Sequence, residues 1–245
     1  MSSKLCFETL ILLARPAAGK SEIIDFLKNT PLSERINKFH IGHITELDDF
    51  PLLWSWFEED AILEQLGYPR LHTDAEGYFH GNHLWDLLIH RLSQDHKKWQ
   101  RDIVDSTECQ TAIMEFSRGI EHGGYERAFH HLSPEVAKTA AILYIDVPWA
   151  ESLRKNRKRF NPERPDSILE HGLEDRKLEH LYKEVDWEQV TKSNPEFVQI
   201  QGYKVPYVVF ENSDDVTTHK GAALETRLEA ALKRLWRFKQ KLLKA

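Results

Sequence analysis

Five short runs of Ile, Leu, Val, Phe and Tyr punctuate an otherwise polar chain, at residues 7–13, 38–44, 110–116, 140–147 and 205–210. Each is followed by polar, Gly or Pro residues, the pattern of a buried strand. Between them lie segments of helical character: 20–29, 51–65, 84–104, a charged stretch over 151–189, and the tail. Strands alternating with helices predict an α/β domain with a parallel sheet. In the tail, Leu224, Leu228, Ala231, Leu235, Phe238 and Leu242 recur at spacings of three and four, so they share one helix face. The other face carries Arg227, Lys233, Arg234, Arg237, Lys239 and Lys241. A cationic face is the ordinary outside of a packed helix. Residues 219–244 are therefore read as a cover helix rather than a nucleic-acid or membrane arm. No linker or repeat divides the chain, which reads as one domain, 1–245, with helical insertions at 45–106 and 151–190.

Composition narrows the picture. The 245 residues are 41% hydrophobic and 29% charged, which excludes wholesale disorder. The purest apolar run, residues 10–14, is far short of a membrane span. No secretory signal pattern is present at the N-terminus. Lys and Arg total 33 against 39 Asp and Glu, a net charge of -6, which argues against general nucleic-acid binding. Cys6 and Cys109 are expected as reduced thiols in a cytoplasmic protein. Thirteen His residues include His80 with His83, and His130 with His131, but no Cys-x-x-Cys accompanies them, so no zinc site is expected.

The most informative stretch runs from Thr9 to Ser21. A buried strand enters a small-residue turn, and a helix begins at Lys20. Gly19, Lys20 and Ser21 match the end of the G-x-x-x-x-G-K-[ST] phosphate-binding pattern, with Ala14 in place of its first Gly. Such a turn points backbone N–H groups at phosphate oxygens, and the helix N-terminus adds partial positive charge. Lys20 would reach the β- and γ-phosphates, and the Ser21 hydroxyl would ligate Mg²⁺. Ala at position 14 or 17 costs about 1–2 kcal/mol if the backbone there needs positive φ. The plainer alternative is a strand-turn-helix with a chance Gly-Lys-Ser.

At these residues the chain resembles the P-loop small-molecule kinases, the group of adenylate kinase and the nucleoside kinases. Ala14-Arg15-Pro16-Ala17-Ala18-Gly19-Lys20-Ser21 is similar to the adenylate-kinase form of the loop. Glu115-Phe-Ser-Arg118 looks like the segment after the third strand. The stretch from Ile145 through Arg154 to Arg157 looks like the fourth strand and the helix leading to the lid. Val208 to Ser213, with Asn212, resembles the fifth strand and the loop beside the adenine. The resemblance implies a three-layer P-loop NTPase fold, with a five-stranded parallel sheet in order 2-3-1-4-5 and helical acceptor and lid insertions. It implies ATP and Mg²⁺, with residues 15–21, Asn212 and Ser213 around the nucleotide. The 45–106 insertion does not match the short acceptor arm of adenylate kinase.

Other candidates follow from position. Glu115, at the end of a buried strand, would lie at the sheet's mouth. There it would hold Mg²⁺ or take an acceptor's proton, unless it is merely a solvated strand end. Arg118 would face the acceptor or its phosphate. Six basic residues crowd 151–164. Of these, Arg154, Arg157, Arg159 and Arg164 are expected to stabilise phosphoryl-transfer charge, with 160–163 as a lid tip; the alternative is a solvated, salt-bridged helix. Glu46, Asp48 and Asp49 read either as acceptor ligands or as a helix start before Pro51. Trp54, Trp56, Phe57, Tyr68, Tyr78, Phe79 and Trp85 offer stacking surface or core. Asp74-Ala-Glu-Gly77 matches a short GTPase pattern, without the partner motif, and is read as chance. The expectation is an ATP-dependent kinase acting on a small acceptor, a nucleoside or nucleotide foremost. The alternatives are a nucleotide-binding module with little turnover and an ATP-hydrolysing ATPase. No membrane partner is expected, and a homodimer is compatible with the sequence.

Overall fold

The computed structural model describes residues 5–104, 106–159, 163 and 172–244. In chain order the elements are β1 (Thr9–Ala14), α1 (Lys20–Asn29), α2 (Leu32–Phe39), β2 (His43–Asp48), α3 (Phe50–Gln65), α4 (His83–Asp102) and β3 (Gln110–Phe116). A 3₁₀ turn (Ile120–His122) precedes α5 (Gly124–His131), α6 (Pro134–Thr139), β4 (Ala140–Asp146) and α7 (Trp149–Arg159). Then come α8 (Asp175–Tyr182), α9 (Trp187–Thr191), β5 (Phe197–Ile200), β6 (Tyr203–Glu211), α10 (Val216–His219) and α11 (Gly221–Leu243).

Every residue of β1 is buried, because both faces of the sheet are covered. Leu10, Leu12 and Ala14 join one core with α1, α2 and α11, through Ile23, Phe39, Leu224 and Leu228. Ile11 and Leu13 join the other, with Trp99 of α4, Tyr125 and Phe129 of α5, and Trp187 of α9. The result is three layers, helix on sheet on helix.

Among the described residues the sheet has six strands, not five, in the order β2-β3-β1-β4-β6-β5. The first five in that order are joined by parallel pairings, while β5 pairs antiparallel with β6 at the edge. The expected order 2-3-1-4-5 is corrected by this extra strand. Gln201 (φ 50) and Gly202 (φ 81) are both left-handed and form the two-residue turn that folds β5 back on β6. The strand expected at 38–44 begins only at His43, because Lys38 and Phe39 complete α2, which ends at the left-handed His40 (φ 56).

Cys6, three residues before β1, and Cys109, directly before β3, lead into neighbouring parallel strands, so they lie at the same end of the sheet. The tail helix covers the sheet through Leu224, Leu228, Leu232 and Leu235. Leu232, not Ala231, is its fully buried third position. Lys239 leaves the expected solvated face: its ammonium donates to the carbonyls of Lys138 and Ala140, and burial lowers it to about 8. Among the described residues no helix is long and apolar enough to cross a membrane.

Candidate functional site

Register places the site. Glu115 pairs with Leu12 on one side and Asp48 on the other, so β1, β2 and β3 deliver their C-terminal ends to one edge. In an open parallel sheet, ligands gather at such an edge. A cleft of about 1020 Å³ opens there, lined by residues 16–22, by the ends of β2 and β3, by α7 and α8, and by the 45–106 arm.

The turn between β1 and α1 is tight. Ala17 is left-handed (φ 56) and Gly19 has φ 109, while Ala14 stays in β1. The backbone at Ala17 is therefore of the kind that disfavours a Cβ. A Cβ on Gly19 would lie 2.5 Å from Thr217 Oγ1 and 3.0 Å from Asn212 Nδ2, so the turn is packed from behind by the loop after β6. Asn212 is fully buried and donates to the Ala18 carbonyl at 2.9 Å and to Thr217 Oγ1 at 2.9 Å. It props the turn. Ser213 is exposed and turned to Glu211. The Arg15 side chain leaves the turn for the carbonyls of Val147, Tyr182 and Lys183, tying β1 to the end of α8. Lys20 and Ser21 stand on the first turn of α1 and line the cleft, and Lys20 Nζ donates to Ser117 Oγ at 2.8 Å.

Opposite Lys20, three carboxyl groups crowd the ends of β2 and β3. Burial, together with the neighbouring Glu115 and Asp49 charges, pushes Asp48 well above the ordinary carboxylate range. Burial also pushes Glu115 up, opposed by Lys20 and Arg159 and aided by Asp49. Asp48 Oδ1 also accepts from Phe50 N at the start of α3, so the helix-start reading of this acidic stretch holds for Asp48 together with its place in the cleft. Asp49 forms a 2.7 Å ion pair with Arg118, both side chains being nearly fully buried. Arg118 also donates to the Ser117 and Trp85 carbonyls and lies against the rings of Trp85 and Phe116.

The basic helix divides its charges. Arg154 lines the cleft and is bound to Glu151 and Asp215. Arg159 lines it near Glu115. Arg157 is exposed and paired with Asp175 of α8, the salt-bridged alternative. Arg164 lies outside the described residues, as do positions 160–162 of the expected lid tip. Lys155 is the buried cation of this helix, 2.8 Å from Asp215 and 3.5 Å from Glu22, and it bonds Thr217 Oγ1.

On the arm, Trp54, Phe57, Tyr78, Phe79 and Trp85 line the cleft. Trp56 is instead buried and stacked on His72, and Tyr68 is exposed. His80 and His83 are exposed, while Asn82 between them faces the cleft. His122 stacks on Trp85 with centroids 3.8 Å apart; burial, aided by Arg118, lowers its imidazole to about 2 and keeps it neutral. Asp74 and Gly77 form the turn at the arm's tip, with Tyr78 N bonded to Asp74 Oδ1.

No family model and no curated protein matches the chain. Among solved structures it is similar to a sugar kinase from Janibacter sp. HTCC2649, crystallised without ligand, at 14% identity and a TM-score of 0.40 over 94% of each chain.

The donor chemistry fits a magnesium–nucleotide complex. Among the described residues, no group of three or more His, Cys, Asp or Glu is arranged to hold a metal ion alone. Mg²⁺ in phosphoryl-transfer sites takes one or two protein oxygens and completes its shell with phosphate and water. Ser21 and Glu115 could supply such oxygens, and Lys20 and Arg159 line the cleft beside them together with the ion-paired Arg154 and Lys155. The sequence reading did not single out Lys155, Asp215 or the clamp on Arg118, because each depends on a partner 33 or more positions away. The one local signal was Lys155's place in the basic run of α7.

Proposed function

We propose that the chain is a phosphotransferase that moves the γ-phosphoryl group of MgATP to a small hydroxylated acceptor, with nucleosides and nucleotides the first candidates. The observation that carries this reading is the convergence of three elements in one cleft: the strained turn ending in Gly19-Lys20-Ser21, the half-buried Asp48 with the buried Glu115, and the aromatic arm. A cleft for hydrolysis alone has no need of the third.

In this reading the turn and the N-terminus of α1 hold the donor phosphates, and Lys20 neutralises their charge. Mg²⁺, held by Ser21 and Glu115, would draw negative charge from the phosphate oxygens. The acceptor's hydroxyl oxygen forms the new bond to phosphorus as the bond to the departing diphosphate breaks, and the hydroxyl proton passes to the carboxyl pair. Burial and mutual repulsion disfavour charge on that pair in the free protein, and cationic charge arriving beside it favours a carboxylate able to act as base. Arg154 and Arg159 close the cationic side, and the arm keeps water from the reacting atoms.

Lys20→Ala tests the assignment. Turnover should fall by roughly 100- to 1000-fold, the scale of losing one group aimed at developing charge, with the far-UV spectrum and melting temperature unchanged. Unaltered turnover would remove Lys20, and the reading, from consideration. The ion pairs that hold Arg154 to Glu151 and Asp215 favour a second reading, a binding module with little turnover. Calorimetric MgATP binding without transfer across a nucleoside and sugar panel would select it.

A further inference from the structure

The arginines on the acceptor side of the cleft are already paired. Arg118 is 2% exposed and paired with Asp49, 9% exposed, at 2.7 Å. Its remaining polar contacts are the carbonyls of Ser117 and Trp85, and its planar face lies on Trp85 and Phe116. Arg70, the arm's own arginine in the lining, is bound to Thr73 and Glu64. Lys177 sits over the Tyr78 ring at 5.5 Å. His122 beside Arg118 is neutral. Against these stand the carboxyl groups of Asp48, Asp49, Glu76, Glu115 and Glu121. A phosphate dianion carried in by an acceptor would have to displace a buried carboxylate from its arginine. It would also have to approach the carboxyl groups of Asp48 and Glu115, which are half-buried and buried and so less screened than in water.

This deepens the phosphotransfer reading and rests on it. We propose that the acceptor enters without a phosphate, and that Asp49 is the residue that enforces this, because its carboxylate occupies the guanidinium that would otherwise receive one. A guanidinium attracts phosphate and carboxylate alike, so the internal carboxylate held against Nη1 is a direct competitor of an acceptor's phosphate. The aromatic walls of the arm define the rest of the class: an uncharged hydroxylated compound with a flat ring to stack.

The test titrates the full chain, its donor site filled with a nonhydrolysable ATP analogue and Mg²⁺, with phenyl phosphate as a compact aromatic phosphate ester. The wild type should show no saturable binding by calorimetry. Asp49→Asn should bind phenyl phosphate at least about tenfold more tightly, and adding Arg118→Met should abolish the gain. Saturable binding to the wild type overturns the proposal whichever cation it uses, and so does a folded Asp49→Asn protein that binds no better than wild type. If circular dichroism shows that Asp49→Asn fails to fold, the side-chain resonance of Arg118 in the wild type decides. It should be unmoved by phenyl phosphate, and a saturable shift refutes the proposal. Failure of the ATP analogue to bind would count against the phosphotransfer reading alone. The difference between Asp49→Asn and Asp49→Asn/Arg118→Met reads the arginine without nucleotide.

Discussion

Gly19→Ala tests how tightly the turn is built. At φ 109 an alanine is outside its comfortable backbone range, which costs about 1–2 kcal/mol. The new methyl would lie 2.5 Å from Thr217 Oγ1 and 3.0 Å from Thr217 Cβ, so Thr217 has to move. Its hydroxyl accepts from Asn212 Nδ2 at 2.9 Å and from Lys155 Nζ at 3.3 Å; losing both bonds costs about 1 kcal/mol each. The sum, about 3–4 kcal/mol, should lower the melting temperature by roughly 6–16 °C in a domain of this size. The same movement withdraws the prop behind the turn, and affinity for an MgATP analogue should fall at least about tenfold. Thermal melts and calorimetry measure both effects. Removing the struck hydroxyl relieves the collision, so Gly19→Ala/Thr217→Ala should cost about 2 kcal/mol less than the sum of the single changes. A drop under about 3 °C with normal nucleotide binding would show that the turn is loose and the reasoning about its shape mistaken.

Two further expectations follow from buried titratable groups. Asp60 is fully buried in the arm; burial pushes its carboxyl up, but bonds from Thr73, Leu71 and His72 override that and hold it at about 2. Its stabilisation is present above the ordinary carboxylate pKa and is lost as pH falls toward 2. Asp60→Asn should destabilise the arm by about 2–4 kcal/mol at neutral pH, read as a lower melting temperature and faster hydrogen exchange over residues 70–79. His96 and His122 are both neutral in the fold, lowered to about 4 and about 2 mainly by burial. The unfolded chain takes up their protons near pH 6.5, so stability should fall below that pH by about 1.4 kcal/mol per unit for each residue, until the folded form protonates. Asp48 and Glu115, raised in the fold, contribute a slope of opposite sign over the same range, so the check is the difference between wild-type and His122→Phe melting curves between pH 4.5 and 7, which should change by about 1.4 kcal/mol per unit; no pH-dependent difference would place water or a second proton donor at this ring.

Legibility varied with the range of the forces involved. The strand 110–116 and the helix 20–29 stand where the pattern put them, because a strand buried on both faces and an amphipathic helix start are local signals. The edge strand Phe197–Ile200 was missed: four residues alternating between buried and open read as loop until the Gln201-Gly202 turn pairs them with β6. Residues 38 and 39 misled because Phe39 is as apolar as any strand residue, yet its burial is against α1 and α11 as the end of a helix.

Site chemistry divided in the same way. The turn at 14–21, Glu115 and the cationic helix were visible as residue types at fixed offsets. The fate of each charge was not. Arg118, Arg154 and Arg157 look alike along the chain, and what distinguishes them is a carboxylate brought from elsewhere: Asp49 from the end of β2, Asp215 from the loop after β6, Asp175 from α8. By itself the sequence determined that the central strands would be buried and that a glycine-lysine-serine turn would follow the first, since hydrophobic period and backbone strain act over a few residues. Only the tertiary structure decided which cations remain for a ligand, because ion pairing depends on distance in space, and the low polarisability of the interior makes a nearby buried partner decisive.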